Sequence, residues 1–217
     1  MVASLEAMRA AIEDAADELG RIDAVAGDGD HGRGMVKGVT AAAAAAAQTE
    51  AQGAGAASVL AAAGDAWGSK AGGTSGVLWG AALTAVGQRL GDAPEVLTST
   101  DVVDAVEAGL TALQTLGKAK VGDKTMIDAL VPFVDELRRG VAAGGPLPLA
   151  WSSAAQVSQR AADDTADLRP RIGRARPLAE RSIGTPDAGA ISLAMCLQTI
   201  ADTLTADSAP TLTQDRK

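Results

Sequence analysis

The chain is 217 residues long and 47% hydrophobic, with only three Trp, one Phe and no Tyr, and it carries a formal net charge of −8 with a pI of about 4.6. That apolar fraction excludes general disorder, and the acidic balance argues against a non-specific nucleic-acid binder. An Ala-rich, aromatic-poor core disfavours β-sandwiches and barrels and favours close-packed helices, so the class expected is all-α.

Helical periodicity is read in eight segments, most of them ended by Gly or Pro. Segment 2–20 carries Leu5, Met8, Ile12, Ala15 and Leu19 on one stripe and stops at Gly20. Segments 34–51 and 55–70 follow. Segment 75–90 turns Leu78, Ala81, Ala82, Ala85 and Val86 inward, and 100–117 starts at a Ser99-Thr100-Asp101 cap signal. Segment 124–143 presents Ile127, Leu130, Val131, Val134 and Leu137. Segment 147–168 has the weakest pattern, and 188–205 carries Ile191, Ala194, Leu197, Ala201 and Leu204. Residues 206–217 read as a flexible polar tail to a single domain over 1–217. No stretch approaches about 18 uninterrupted apolar residues, and the first residues lack the basic flank and apolar run of a signal peptide. Cys196 is the single cysteine, which excludes an internal disulfide and a Cys-based metal site. A cytoplasmic chain with no membrane and no nucleic-acid partner is expected.

The connections fall into two sets. Those over 52–54, 91–99 and 144–146 are short and plain. Those over 21–33, 71–74, 118–123 and 169–187 hold nearly every Gly cluster and polar constellation. Alternate loops of an up-and-down bundle lie at one end, so the second set should converge on one rim with four helix N-termini. Free N–H groups and positive helix ends there suit an anion, most naturally phosphate.

In the first rim loop, Gly27-Asp28-Gly29-Asp30-His31-Gly32 satisfies the spacing G-x-G-x-x-G, but nothing supports a βαβ unit, and carboxylates inside a bare pyrophosphate cradle would repel the ligand. No Glu stands at the twelfth position of an EF-hand loop. Asp23, Asp28 and Asp30 make sense with hard cations between them and phosphate oxygens, as Mg²⁺ prefers. The plainer alternative is a polar turn with Asp30 as N-cap. In Gly72-Gly73-Thr74-Ser75-Gly76 the hydroxyls either cap the next helix or donate to phosphate. Lys118 and Lys120 read as complements to a helix C-terminus. Gly122-Asp123-Lys124-Thr125 reads as a capped helix start, and Met126 as core. Between Arg169 and Pro186 five arginines face one acid, Glu180, a local charge of +4 in an acidic chain. So long an irregular segment is more often functional than not, and its arginines near phosphate would stabilise transferring charge. The single His31 leaves no Ser/His/Asp triad and no conventional zinc site. Asp187 reads first as an N-cap.

Taken in order, Gly27-Asp-Gly-Asp-His-Gly32, Gly72-Gly-Thr-Ser-Gly76, Gly122-Asp-Lys-Thr-Met126, Gly173-Arg-Ala, Glu180-Arg-Ser-Ile-Gly184 and Asp187-Ala-Gly-Ala190 resemble the L subunit of dihydroxyacetone kinases along essentially the whole chain. The resemblance implies an eight-helix antiparallel barrel with nucleotide (ATP or ADP) and two Mg²⁺ at one rim. Position by position it makes Asp23, Asp28 and Asp30 the Mg²⁺ ligands. It places His31, Gly32, Thr74 and Ser75 around the phosphates, and Gly117 and Met126 in the adenine pocket, where a thioether packs well on a base. Arg174 becomes the phosphate-contacting catalytic arginine, and Asp187, Ala188 and Gly189 the lid of the nucleotide site. The implied partner is a K-type subunit that holds a short ketose. A phosphotransferase-system protein as phosphoryl donor, and a homodimer, are left open. Departures from the family pattern are Gly34 for Asn, Ala188 for Pro, and Arg176-Pro177 for a small-aromatic pair. Two other readings are a fatty-acid-kinase-type nucleotide domain and a nucleotide-sensing regulator.

Overall fold

All eight segments form helices, and their packing closes a ring. The computed structural model describes residues 1–93 and 96–208. Helix α1 spans Val2–Asp14, α2 Ala16–Asp23, α3 His31–Glu50, α4 Ala56–Ala71 and α5 Gly73–Leu90. Helix α6 spans Ser99–Gly117, α7 Met126–Ala142, α8 Leu147–Asp164, α9 Ala179–Ser182 and α10 Ala188–Ser208. Of the expected tail, 206–208 continue α10 and 209–217 lie outside the described residues. The long helices neighbour one another in chain order, α1 on α3, then α4, α5, α6, α7, α8 and α10, which returns to α1. This is an up-and-down antiparallel barrel.

Several boundaries differ from expectation: α3 starts at His31 rather than 34, α8 ends at Asp164 rather than 168, and the short α9 lies in the stretch read as a loop; two more have a plain local cause. The first helix does not stop at Gly20. It breaks at Ala15, where φ −94° and ψ 0° turn the axis, and then runs on as α2 to Asp23. Gly20 stays helical because its carbonyl is still used, accepting from Ala24 N–H at 2.9 Å. Helix α6 is capped one residue earlier than read. Thr98 lies in an extended conformation, its hydroxyl accepts from Asp101 N–H at 3.2 Å, and Asp101 Oδ2 accepts from Thr98 N–H at 3.0 Å. That reciprocal pair is a capping box.

The four aromatic side chains form two pairs, each joining consecutive helices. Trp67 of α4 stacks on Trp79 of α5 at 4.7 Å, and Phe133 of α7 meets Trp151 of α8 edge-on at 5.0 Å. Each pair adds about 0.5–1.5 kcal/mol beyond its buried area. Trp151 Nε1 also donates to Leu197 O at 3.0 Å, fixing α8 to α10. Small residues let the helices approach closely at their flanks, as Ala42, Ala43 and Ala46 do on α3. With so few large side chains the axis is not filled, and an apolar cavity of about 420 Å³ remains there, bordered by Met8, Trp79, Leu110, Leu130 and Trp151. Over Ala188–Ala206 α10 is long and apolar enough to cross a membrane by composition. In this fold its apolar surface packs on α8, α1 and α7.

The two rims differ as the loop chemistry suggested. At the plain rim, Ala57 N–H donates to Gly91 O, and Ser58 N–H donates to Asp92 Oδ1 at 2.9 Å. At the other rim, α2 crosses α3 so tightly that a Cβ on Gly32 would overlap the Ala16 carbonyl, lying 2.8 Å from its carbon. Gly32→Ala is therefore expected to destabilise the chain by about 1–3 kcal/mol through overpacking against rigid backbone. The check is the urea midpoint at unchanged slope; an unshifted midpoint would mean the helices do not meet this closely.

Candidate functional site

The rim is built outward from the end of α2. Asp23 is its last residue, and its backbone carbonyl accepts from Gly27 N–H at 2.6 Å, curling the loop back on itself. Any side chain at Gly27 would collide with Asp23, since a Cβ there would lie 2.8 Å from Asp23 O and 2.9 Å from Cγ. Asp30 N–H then donates to Asp23 Oδ2 at 3.1 Å. One oxygen from each of Asp23, Asp28 and Asp30 falls within 4.8 Å of the others, with Asp23 half-buried and the other two exposed. Asp30 does not cap α3 with its side chain. Its backbone is helical (φ −95°, ψ −4°) rather than extended, which leaves the carboxylate free to join the cluster.

Positive charge meets this cluster from across the rim. Arg174 pairs with Asp28 and lies 3.9 Å from Asp30. Local desolvation pushes the Asp28 carboxyl upward, but hydrogen bonding with Asp30 and the Arg174 charge outweigh it and hold Asp28 below the usual carboxylate range. Arg174 also stands over α5, its Nη2 being 3.9 Å from where a Gly73 Cβ would sit. Helix α5 starts at Gly73, so Thr74 and Ser75 lie in its first turn and do not cap it; the N-cap is Gly72, at φ 70°. Among the described residues neither hydroxyl has a hydrogen-bond partner.

His31 opens α3. Its Nε2 lies 2.9 Å from Ser192 Oγ, and Ser192 in turn donates to Gly189 O at 3.1 Å, which makes Nε2–H the donor to Ser192. Burial depresses the His31 value, against the pull of Asp23 and Asp30. This chain of contacts joins the start of α3 to the start of α10. There Asp187 caps the helix, its Oδ1 accepting from Ala190 N–H at 2.8 Å, and its own N–H donates to Thr165 Oγ1 at 2.8 Å. Gly189 faces Met126 at the start of α7: a Cβ on Gly189 would lie 3.9 Å from Met126 Cε. Met126 is buried, as read, and Gly117 ends α6 against Leu78. Gly117 makes no described contact with the other candidate residues. Four helix N-termini, those of α3, α5, α7 and α10, thus share this rim.

Three participants escaped the sequence reading. Ser192 looks like an ordinary α10 residue, and its partner is 161 positions away. Asp128 looks like a first-turn acid, but its carboxylate accepts from Thr125 N–H at 2.7 Å and from Gly122 N–H. Lys124 is almost fully buried and donates from Nζ to Ser182 O at 2.7 Å. Its signal was present in the cluster Gly122-Asp123-Lys124-Thr125, but nothing local named its partner. A narrow cavity of about 50 Å³ runs between the acidic loop and the segment before α10, bordered by Asp23, Gly27, Lys124, Ser182, Asp187 and Ala188.

Fold and rim together define an all-helical barrel domain with a cation- and anion-suited mouth. The chain belongs to the DAK2 domain family, which matches over residues 25–202. It is 60% identical over 202 residues to the D-erythrulose kinase of Mycolicibacterium smegmatis, covering 93% of this chain and 35% of that protein. It is 33% identical over 185 residues to the ADP-binding subunit of the PEP-dependent dihydroxyacetone kinase 1 of Listeria innocua, covering 85% of this chain and 86% of that one. The crystal structure of the C. freundii dihydroxyacetone kinase in complex with AMP-PNP and Mg²⁺ superposes with a TM-score of 0.69 at 30% identity, over 93% of this chain and 33% of that one. The chain therefore spans about a third of the erythrulose kinase and most of the Listeria subunit.

Burial pushes the Asp187 carboxyl up to about 6; the Ala190 N–H partly offsets this, Asp128 adds to it and Lys124 opposes it. A carboxyl whose folded value exceeds its unfolded one contributes stability that is lost as pH rises through the folded value. Asp187→Asn keeps a capping acceptor and removes the ionisation. Its melting temperature should therefore gain on the wild type as pH rises from about 4 to about 7. Parallel melting profiles across that range would contradict the placement of Asp187.

Proposed function

We propose that this chain is the nucleotide-binding, phosphoryl-transferring domain of a short-ketose kinase, with residues 1–217 acting as one such domain in the cytoplasm. One observation carries the reading: three carboxylates with oxygens within 4.8 Å of one another, met by Arg174 and ringed by four helix N-termini. An all-oxygen donor set of this size fits Mg²⁺, which takes a few carboxylates and completes its shell with phosphate and water. In this reading Asp23, Asp28 and Asp30 would hold Mg²⁺, two ions in the family pattern, and the metal would supply positive charge to the phosphates of ATP.

The chain's own residues do the rest. The backbone N–H groups of His31 and Gly32 at the start of α3, and the free hydroxyls of Thr74 and Ser75 in the first turn of α5, receive phosphate oxygens. His31, its Nε2 engaged by Ser192, fixes how the start of α3 faces the phosphates. Gly117 and Met126 border the adenine, and Asp187, Ala188 and Gly189 close over the nucleotide. Arg174 exchanges Asp28 for an oxygen of the transferring group and stabilises the charge of an in-line transition state.

The ketose is held by a separate K-type subunit or domain, in keeping with a chain that spans 35% of the erythrulose kinase. Identity of 60% to that enzyme, against 33% to the dihydroxyacetone kinase subunit, favours a four-carbon ketose. Asp28→Asn should abolish phosphoryl transfer to erythrulose in the reconstituted kinase while leaving the metal-free melting temperature unchanged. In the wild-type chain, ADP at about 100 times Kd should add about 2.7 kcal/mol of stability, and only with Mg²⁺. Full transfer by the Asp28→Asn kinase would overturn the assignment.

A further inference from the structure

The rim contains one buried cation that the reading above does not use. Lys124 is 4% exposed, a rare state for lysine, and it sits with a left-handed backbone (φ 62°) that side-chain-bearing residues adopt only when their surroundings impose it. Its ammonium donates to Ser182 O at 2.7 Å, and the charges of Asp187 and Asp167 act on it. The preceding residue also reaches the same segment: Asp123 O accepts from Arg171 N–H at 3.2 Å. Neighbouring residues of the α6–α7 link therefore fasten both ends of the arc 171–182, on either side of Arg174.

Ile172 also packs on the core and Glu180 pairs with Arg169, and among the described residues these two hydrogen bonds are the ones that join the arc to the α6–α7 link. Arg174 is itself largely exposed, and its contact with Asp28 depends on where the arc lies. Two residues after Lys124 comes Met126, on the side of the site that faces Gly189. The link thus sets the distance between the α7 side of the rim and the arginine over the acidic loop.

We infer that Lys124 is a positioning residue for phosphoryl transfer, whose ammonium, through the Ser182 carbonyl, holds the arc 171–182 so that Arg174 stays over Asp28 and Asp30. This rests on the nucleotide reading of the site. The Lys124 ammonium is committed to the Ser182 carbonyl. It acts through Arg174, and that sets it apart from a lysine that merely stabilises the barrel.

Two readouts on the full chain test this. Trypsin cuts after Arg171, Arg174 and Arg181 but not at the Arg169-Pro170 and Arg176-Pro177 bonds. Lys124→Met should raise the cutting rate within the arc about tenfold below the melting temperature, as expected for loss of a charge-assisted hydrogen bond. Lys124→Gln, which keeps a donor for Ser182 O, should restore most of the protection. The second readout is ADP affinity with Mg²⁺ in a double-mutant cycle. Lys124→Met and Arg174→Ala should each weaken binding, and the double variant should bind no worse than Arg174→Ala alone. Multiplicative losses, or arc cutting and affinity within about twofold of wild type in both Lys124 variants, would overturn the role of Lys124. Failure of the wild-type chain to bind ADP with Mg²⁺ would overturn the nucleotide reading instead, whatever trypsin reports.

Discussion

Three carboxylates with oxygens less than 5 Å apart repel one another, and the rim is organised around meeting that repulsion. Each such pair costs about 1 kcal/mol in water and several times that where the surroundings are partly dehydrated. The loop spends backbone hydrogen bonds on closing the cluster, with Asp23 accepting from Gly27 and Asp30 N–H groups, so the acids are held together rather than left to spread. Compensation comes from outside the loop. Arg174 supplies a full charge, and the ends of α3, α5, α7 and α10 each bring a partial one. A chain of net charge −8 carries its densest run of arginines opposite its tightest group of acids. That opposition is what a cation and a polyphosphate would share.

The barrel delivers these parts to one place by connectivity alone. Helices that neighbour one another in chain order alternate in direction, so every second loop returns to the same rim. Close helix contacts require small residues at the crossings, and the Ala and Gly content that leaves the axis hollow also lets α2 lie against α3 at Gly32. The same glycine therefore has two reasons to be present: a backbone N–H facing the rim, and a crossing that admits no Cβ. Its appearance in a motif is not by itself evidence of ligand contact.

The order of the long helices and the rim they share were legible in the sequence because they depend on periodicity and on breakers, both local properties; the split of the first helix and the short α9 were not. The errors were local too, but of another kind. Gly20 looked like a stop, and the break falls instead at Ala15, a residue that packs on the core as read, since nothing in an alanine announces ψ near 0°. Asp30, Thr74 and Ser75 had the chemistry of caps, yet Asp30 already has helical backbone, and Gly72 takes the cap position ahead of Thr74 and Ser75. What could not be read were pairings across the chain: His31 with Ser192, Lys124 with Ser182, and Arg174 with Asp28. Each joins residues brought near only by the closed ring. Periodicity shows which face of a helix is buried, but not which opposite residue it meets.

The departures from the family pattern gain meaning from this geometry. Gly34 lies in the first turn of α3, facing the Ala71 carbonyl at the end of α4, and Ala188 begins α10 beside the Asp187 cap. Neither belongs to the acidic cluster. Arg176-Pro177 opens a short 3₁₀ turn, Arg176–Leu178, inside the arc that Asp123 and Lys124 fasten at both ends. Proline fixes φ there and stiffens the stretch between the two fastenings. The changes therefore fall on the walls and the arc around the acidic cluster rather than on its three carboxylates. None of them alters a carboxylate of the acidic cluster or the arginine that meets it.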